Sequence, residues 1–174
     1  MAVSVRIGPS TPQPRFHSMT DHPGILEGAR DAAGLRIAVV AARFNGLVVD
    51  QLVAGALAAL ASAGARAENI SLLRVPGAFE IPAAARAAAE RYDAVVALGA
   101  VIRGETPHFD YVAGECARGL MRVMLDTGVP VAFGVLTCDT VEQALARAGG
   151  AAGNKGADAA LAAIEMANLL RKMG

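Results

Sequence analysis

From residue 34 onward the chain alternates between unbroken apolar runs and amphipathic stretches. LRIAVVAAR (35–43) is a continuous apolar run with β-branched residues, as expected of a strand covered on both faces. In residues 47–63, Val53, Ala56, Leu57 and Leu60 recur at helical spacing, and Gly64 ends the helix. ISLLRV (70–75) predicts a second strand, and an alanine-rich helix follows near 82–90. AVVALGAVI (94–102) predicts a third strand, followed by a helix from about 107 to 125. PVAFGVLT (130–137) predicts a fourth. Thr140 and Gln143 have capping-box spacing, which starts a helix over 140–148. A glycine-rich turn, AGGAAGNKG, then leads into a last helix over about 156–172.

Strand and helix alternate four times, which predicts an α/β fold: a four-stranded parallel sheet with helices on both faces. In such sheets ligands bind beyond the carboxyl ends of the strands. The four strand exits therefore hold the candidate chemistry. They read Arg43-Phe44-Asn45, Pro76-Gly77-Ala78-Phe79-Glu80, Arg103 to His108, and Thr137-Cys138-Asp139-Thr140. The chain has no Trp and five Phe, so Phe44 and Phe79 in rim loops suit a planar heterocyclic ligand.

Composition narrows the class. The 174 residues fit one domain, and 54% of them are hydrophobic. Residues 1–33 carry Pro9, Pro12, Pro14 and Pro23 with no sustained period; they are expected to form a mobile arm before a domain over 34–174. Met19 stands as an alternative start. A formal net charge of zero argues against nucleic-acid binding. The apolar runs, about nine residues long, are too short for a membrane span. With no basic-then-apolar leader in view, a cytoplasmic location is expected. Cys116 and Cys138 are too few for a disulfide framework and are read as reduced thiols. Lys155 and Lys172 are the only lysines, so a protein-bound Schiff base has few candidates.

His108 is the only histidine after residue 22, and it lies on the predicted ligand rim. Pro107 suits the first turn of a helix and Thr106 its cap, which puts His108 at a helix N-terminus. The competing reading is a surface or capping histidine. Arg147 offers a guanidinium fork for phosphate, yet an arginine in a last helical turn is favoured by the dipole with no ligand at all. Its helix starts at the rim and runs back about 13 Å, so Arg147 should not reach its own His108. Phe133, well inside strand four, has the same difficulty.

RFN (43–45), VPGAFEIP (75–82), VIRGETPHFDYV (101–112), FGVLTCDTVEQALARAG (133–149) and GNKGADAALAAIEMANL (153–169) together resemble the lumazine synthase family, over roughly 34–172. The resemblance implies a flavodoxin-like three-layer sandwich. It implies a transferase for the penultimate step of riboflavin biosynthesis. That reaction condenses 5-amino-6-(D-ribitylamino)uracil with 3,4-dihydroxy-2-butanone 4-phosphate, and it uses no metal or organic cofactor. It implies a homo-oligomer (a pentamer, a decamer or an icosahedral shell of sixty subunits) with sites between neighbouring subunits. Riboflavin synthase is an implied partner.

The resemblance also implies residue roles. His108 moves protons. Phe44 stacks on the pyrimidine. Ala78, Phe79 and Glu80 hold the ribityl end, and Ala100, Val101 and Ile102 hold the pyrimidine. Glu105 and Thr106 meet the butanone phosphate, through backbone N–H groups since a carboxylate would repel phosphate. Arg147 binds the phosphate. Phe133 joins from the neighbouring subunit, and Lys155 lies near the site or is a solvated loop lysine. Met166, Leu169, Leu170 and Met173 form an apolar stripe that suggests subunit contacts. A Cys138–His108 hydrolase lacks a recognisable nucleophile turn. A non-catalytic shell or flavin-binding protein is the other rival. GGAAGNKG fails the phosphate-loop spacing.

Overall fold

The computed structural model describes residues 24–174. Most of the expected arm lies outside these residues. Four parallel strands form the central sheet: β1 (Ile37–Ala42), β2 (Ile70–Val75), β3 (Ala94–Ile102) and β4 (Val131–Cys138), in the order β2-β1-β3-β4. Five helices connect and cover them: α1 (Gly46–Ser62), α2 (Ile81–Ala88), α3 (His108–Thr127), α4 (Val141–Arg147) and α5 (Lys155–Met173). The expected flavodoxin-like three-layer arrangement is what the chain adopts.

Side chains alternate across each strand, and in the two central strands, β1 and β3, both sets are buried. Ile37, Val39 and Ala41 join Val96 and Leu98 in a core beneath α1 and α5, which Ala144 of α4 also enters. Ala38, Val40 and Ala42 join Val95 and Ala97 in a second core under α2 and α3. No polar or charged residue is buried among the described residues. The sheet's interior is thus purely apolar, and polar chemistry is confined to strand ends and free edges.

The glycine-rich turn differs from a plain loop. Residues 148–150 (β5) and 153–154 (β6) pair as a small antiparallel hairpin. Asn154 closes it. Its Nδ2 donates to Gln51 O at 2.8 Å and Ala148 O at 3.1 Å, while its Oδ1 accepts from Gly156 N and Ala157 N. One side chain so caps α5, fixes the hairpin and ties both to α1. Gly156 makes this possible, since a Cβ there would lie 2.1 Å from Leu52 O.

The α5 stripe points away from the core. Gly156, Ala159, Ala160, Ala163, Ile164 and Ala167 are the buried residues, while Met166, Leu170 and Met173 are exposed. Residues 24–33 run along this helix. Arg30 pairs with Glu165 at 2.9 Å, Asn168 Nδ2 donates to Ala29 O and Asp31 O, and Lys172 Nζ donates to Glu27 O. No helix among the described residues is long and apolar enough to cross a membrane.

At the amino end of the sheet Asp93 accepts from Arg36 N at 2.7 Å and pairs with Arg36 and Arg171. Burial alone would raise its carboxyl, but the Arg36 backbone, the Arg36 guanidinium and Arg171 outweigh it and hold the group below its ordinary 3.8. A carboxyl lowered in the folded state stabilises fully above the unfolded value and loses that contribution as pH falls through the folded one. Asp93→Asn should therefore cost about 1 kcal/mol at pH 7, with the gap from wild type closing below about pH 4. Urea unfolding across pH 2–7 measures both.

Candidate active site

The rim is built from how each strand ends. After β1, Arg43 N donates to Val75 O and Phe44 N to Pro76 O, so the strand direction persists for two residues. Asn45 then adopts the left-handed conformation (φ 57, ψ 40), and α1 begins at the next residue. Asparagine tolerates this region where most side chains do not. Its Nδ2 donates to Ala100 O at 2.8 Å, joining the ends of β1 and β3. Phe44, on the shoulder of this turn, is 71% exposed.

After β2 the chain makes a single 3₁₀ turn over Ala78–Glu80. Glu80 Oε2 accepts from Gly77 N at 2.8 Å, so part of this carboxylate is engaged locally. Phe79 stays exposed and Ala78 is buried. β3 delivers Ala100, Val101 and Ile102 to the rim, and the turn that follows carries Gly104, Thr106 and then His108, the first residue of α3.

These segments enclose a cleft of about 670 Å³ lined by Phe44, Ala78, Phe79, Glu80, Ala100, Val101, Ile102, Thr106 and His108. Nine of the thirteen candidate residues therefore meet in one place. Glu105 is exposed beside the cleft without lining it. Thr106 does not cap α3: Pro107 occupies the cap position (φ −65, ψ 0) with no side-chain cap bond. The helix thus begins at His108, one residue later than expected, and the Thr106 hydroxyl is not spent on the helix.

The other three candidates lie elsewhere. Phe133, Arg147 and Lys155 line a second cleft of about 460 Å³ along the free edge of β4, with Thr137, Cys138 and Asp158. As expected, Arg147 does not share a cleft with His108. It is less remote from the rim than the helix length implied. α4 has only seven residues, and Arg147 Nη1 donates back to Gln143 O at 3.0 Å. Helical side chains lean toward the amino end, which returns the guanidinium toward Cys138. Lys155 Nζ pairs with Asp158 at 2.7 Å. Two cations and one carboxylate leave this cleft with one net positive charge, which suits an anion.

Cys138 is the buried last residue of β4, not part of an exposed loop. Burial pushes its thiol up, partly offset by Arg147. It lines the second cleft while His108 lines the first, so the two form no nucleophile–base pair. Sequence reasoning placed Asn45 on the rim without giving it a role, and missed Tyr111 as a cleft residue. Tyr111 follows His108 by three positions, so helical spacing alone would have found it. Asp158, three beyond Lys155, carried the same signal.

A doubly covered parallel sheet with an aromatic, histidine-bearing cleft at its carboxyl rim defines a flavodoxin-like enzyme for a small planar substrate. The family model for 6,7-dimethyl-8-ribityllumazine synthase matches residues 34–171. The chain is 52% identical over 153 residues to the 6,7-dimethyl-8-ribityllumazine synthase of Syntrophus aciditrophicus (strain SB), across 87% of this chain and 99% of that protein. The chain belongs to the 6,7-dimethyl-8-ribityllumazine synthase family.

The Asn45 turn yields a graded test. Asn45→Gly keeps the left-handed turn and should lose about 1 kcal/mol with the bond to Ala100. Asn45→Ala should lose roughly 1–2 kcal/mol more from backbone strain. Chemical denaturation of both variants checks the order.

Proposed function

We propose that the chain condenses 5-amino-6-(D-ribitylamino)uracil with 3,4-dihydroxy-2-butanone 4-phosphate to 6,7-dimethyl-8-ribityllumazine, releasing phosphate and water. Membership of the family supports this reading. The observation that carries it further is the division of the candidate residues between two clefts, one aromatic and histidine-bearing, the other cationic. The reaction joins a flat heterocycle to a phosphate ester, and each cleft suits one of them.

The substrate's own 5-amino group is the nucleophile, so no enzyme lysine is needed. Phe44 stacks on the pyrimidine, Ala100, Val101 and Ile102 frame it, and Ala78, Phe79 and Glu80 hold the ribityl chain. His108 moves protons as the imine forms, phosphate leaves and the second ring closes. Backbone N–H groups at Glu105 and Thr106 meet the butanone phosphate. Arg147, with Lys155 and Phe133, comes from a neighbouring subunit to complete the phosphate end. The protein's contribution is proximity and electrostatic complementarity.

This division makes assembly a condition of activity. The catalytic domain over 34–174 forms a pentamer, which stands alone, pairs into a decamer or closes with others into an icosahedral shell, in the cytoplasm, with riboflavin synthase as the partner enzyme. The exposed Met166, Leu170 and Met173 are apolar surface available for subunit contacts.

Mixing both substrates with the protein should give lumazine absorbance and phosphate in equal amounts, above the unaided rate. His108→Ala should lower kcat by about 10²-fold or more, with assembly unchanged by sedimentation. Arg147→Ala should raise KM for the butanone phosphate by roughly 10–100-fold, the worth of a charge-assisted bond, and leave the other substrate's KM unaltered. An unchanged KM for the butanone phosphate would remove Arg147 from the phosphate site.

A further inference from the structure

Between the two clefts stands a side chain to which the reaction scheme gives no role. Arg103 follows the last residue of β3, at the start of the turn that ends in His108. Its backbone N donates to Cys138 O at 2.9 Å, continuing the β3–β4 pairing past its last register pair. Its guanidinium then makes three contacts. A two-pronged fork engages Asp110, with Nη2 to Oδ1 at 3.2 Å and Nη1 to Oδ2 at 3.4 Å. Nε donates to Asp139 at 3.0 Å. Its Cζ lies 4.1 Å from the centroid of the Phe109 ring.

We propose that Arg103 is a positioning residue for the condensation, clamping the turn over 104–107 so that His108 and Phe109 face the substrate correctly. This rests on the role proposed for His108. The turn contributes Gly104 and Thr106 to the cleft and is exposed throughout. Arg103 at its start grips Asp110 beyond its end, closing the segment into a loop. The same guanidinium packs on Phe109, whose ring also lines the cleft. Through Asp139 it fixes the exit of β4, from which α4 carries Arg147 to the second cleft.

The charges argue against a direct substrate role. Two carboxylates against one guanidinium leave the cluster one negative charge, a poor partner for phosphate. Single exposed ion pairs contribute little, but three contacts to one planar group share the cost of ordering it. The benefit falls on geometry, where a displacement of about 1 Å can slow a reaction by about 10²-fold.

The test is steady-state kinetics on the assembled protein with both substrates. Arg103→Met keeps the stem on Phe109 and removes the fork. It should lower kcat by about 10–100-fold while both KM values stay within about threefold. Arg103→Lys keeps the charge without the fork and should recover only part of the loss. Asp110→Asn should slow turnover less, and the Arg103→Met, Asp110→Asn double variant should be no slower than Arg103→Met alone, because both act through one contact. A kcat within about twofold of wild type in Arg103→Met, multiplicative losses in the double variant, or a defect confined to the KM of the butanone phosphate would each overturn the proposal. Should Arg103→Met fail to assemble, Asp110→Asn and Asp139→Asn carry the test, and unchanged kcat in both overturns it. His108→Ala measured alongside separates the two readings: wild-type speed there removes the role of His108 itself, whatever Arg103 does.

Discussion

A sheet sealed on both faces by apolar helices has nowhere inside it for a working polar group. That exclusion shapes everything else in this protein. All six β1 residues are buried, as are the first eight of β3, and no charge accompanies them. Hydrogen-bonding and titrating groups are pushed to where strands stop or where the sheet has no further neighbour. The first location yields the rim cleft with His108, the second the groove beside β4 with Arg147. On the proposed reading, a phosphate ester and a pyrimidine find their contacts on different borders of one subunit, and the reaction borrows one border from another copy.

Two helices, α1 and α5, approach closely at Gly156, where a Cβ would lie 2.1 Å from Leu52 O, and Asn154 ties α1 and the hairpin together there through Gln51 O and Ala148 O. Larger apolar residues also lie on outer surfaces: Met166 and Met173 on α5 are exposed, as are Met121 and Leu125 on α3.

Much of this architecture was legible in the residues. AVVALGAVI marks β3 to the residue, because unbroken β-branched runs have few alternatives to a buried parallel strand. The strand exits located Phe44, Ala78, Phe79, Glu80, Thr106 and His108 for the same reason: a long apolar run ends where the sheet ends; Ala100, Val101 and Ile102, still inside β3, came from the family resemblance. Three features were not legible. The hairpin over 148–154 consists largely of glycine and alanine, which give no alternating signal. The inward face of α5 is mostly alanine, so no stripe of large residues announces which side faces the sheet. The cap of α3 turned on one residue of backbone geometry at Pro107, which composition does not encode. The partition into two clefts was partly visible, since helix length already separated Arg147 from His108. The backward lean of its side chain was not.

The Asn45–Gly46 step has a further meaning for how long a molecule lasts. Asparagine followed by glycine is the pair most prone to cyclise and age into aspartate, because glycine leaves its amide nitrogen free to attack. Here the asparagine amide is held by Ala100 O, and the next residue is already committed to α1. The bond that shapes the rim therefore also guards against chemical decay. If the step did convert, the new carboxylate would confront the carbonyl it once bound, and the damage would begin at the cleft.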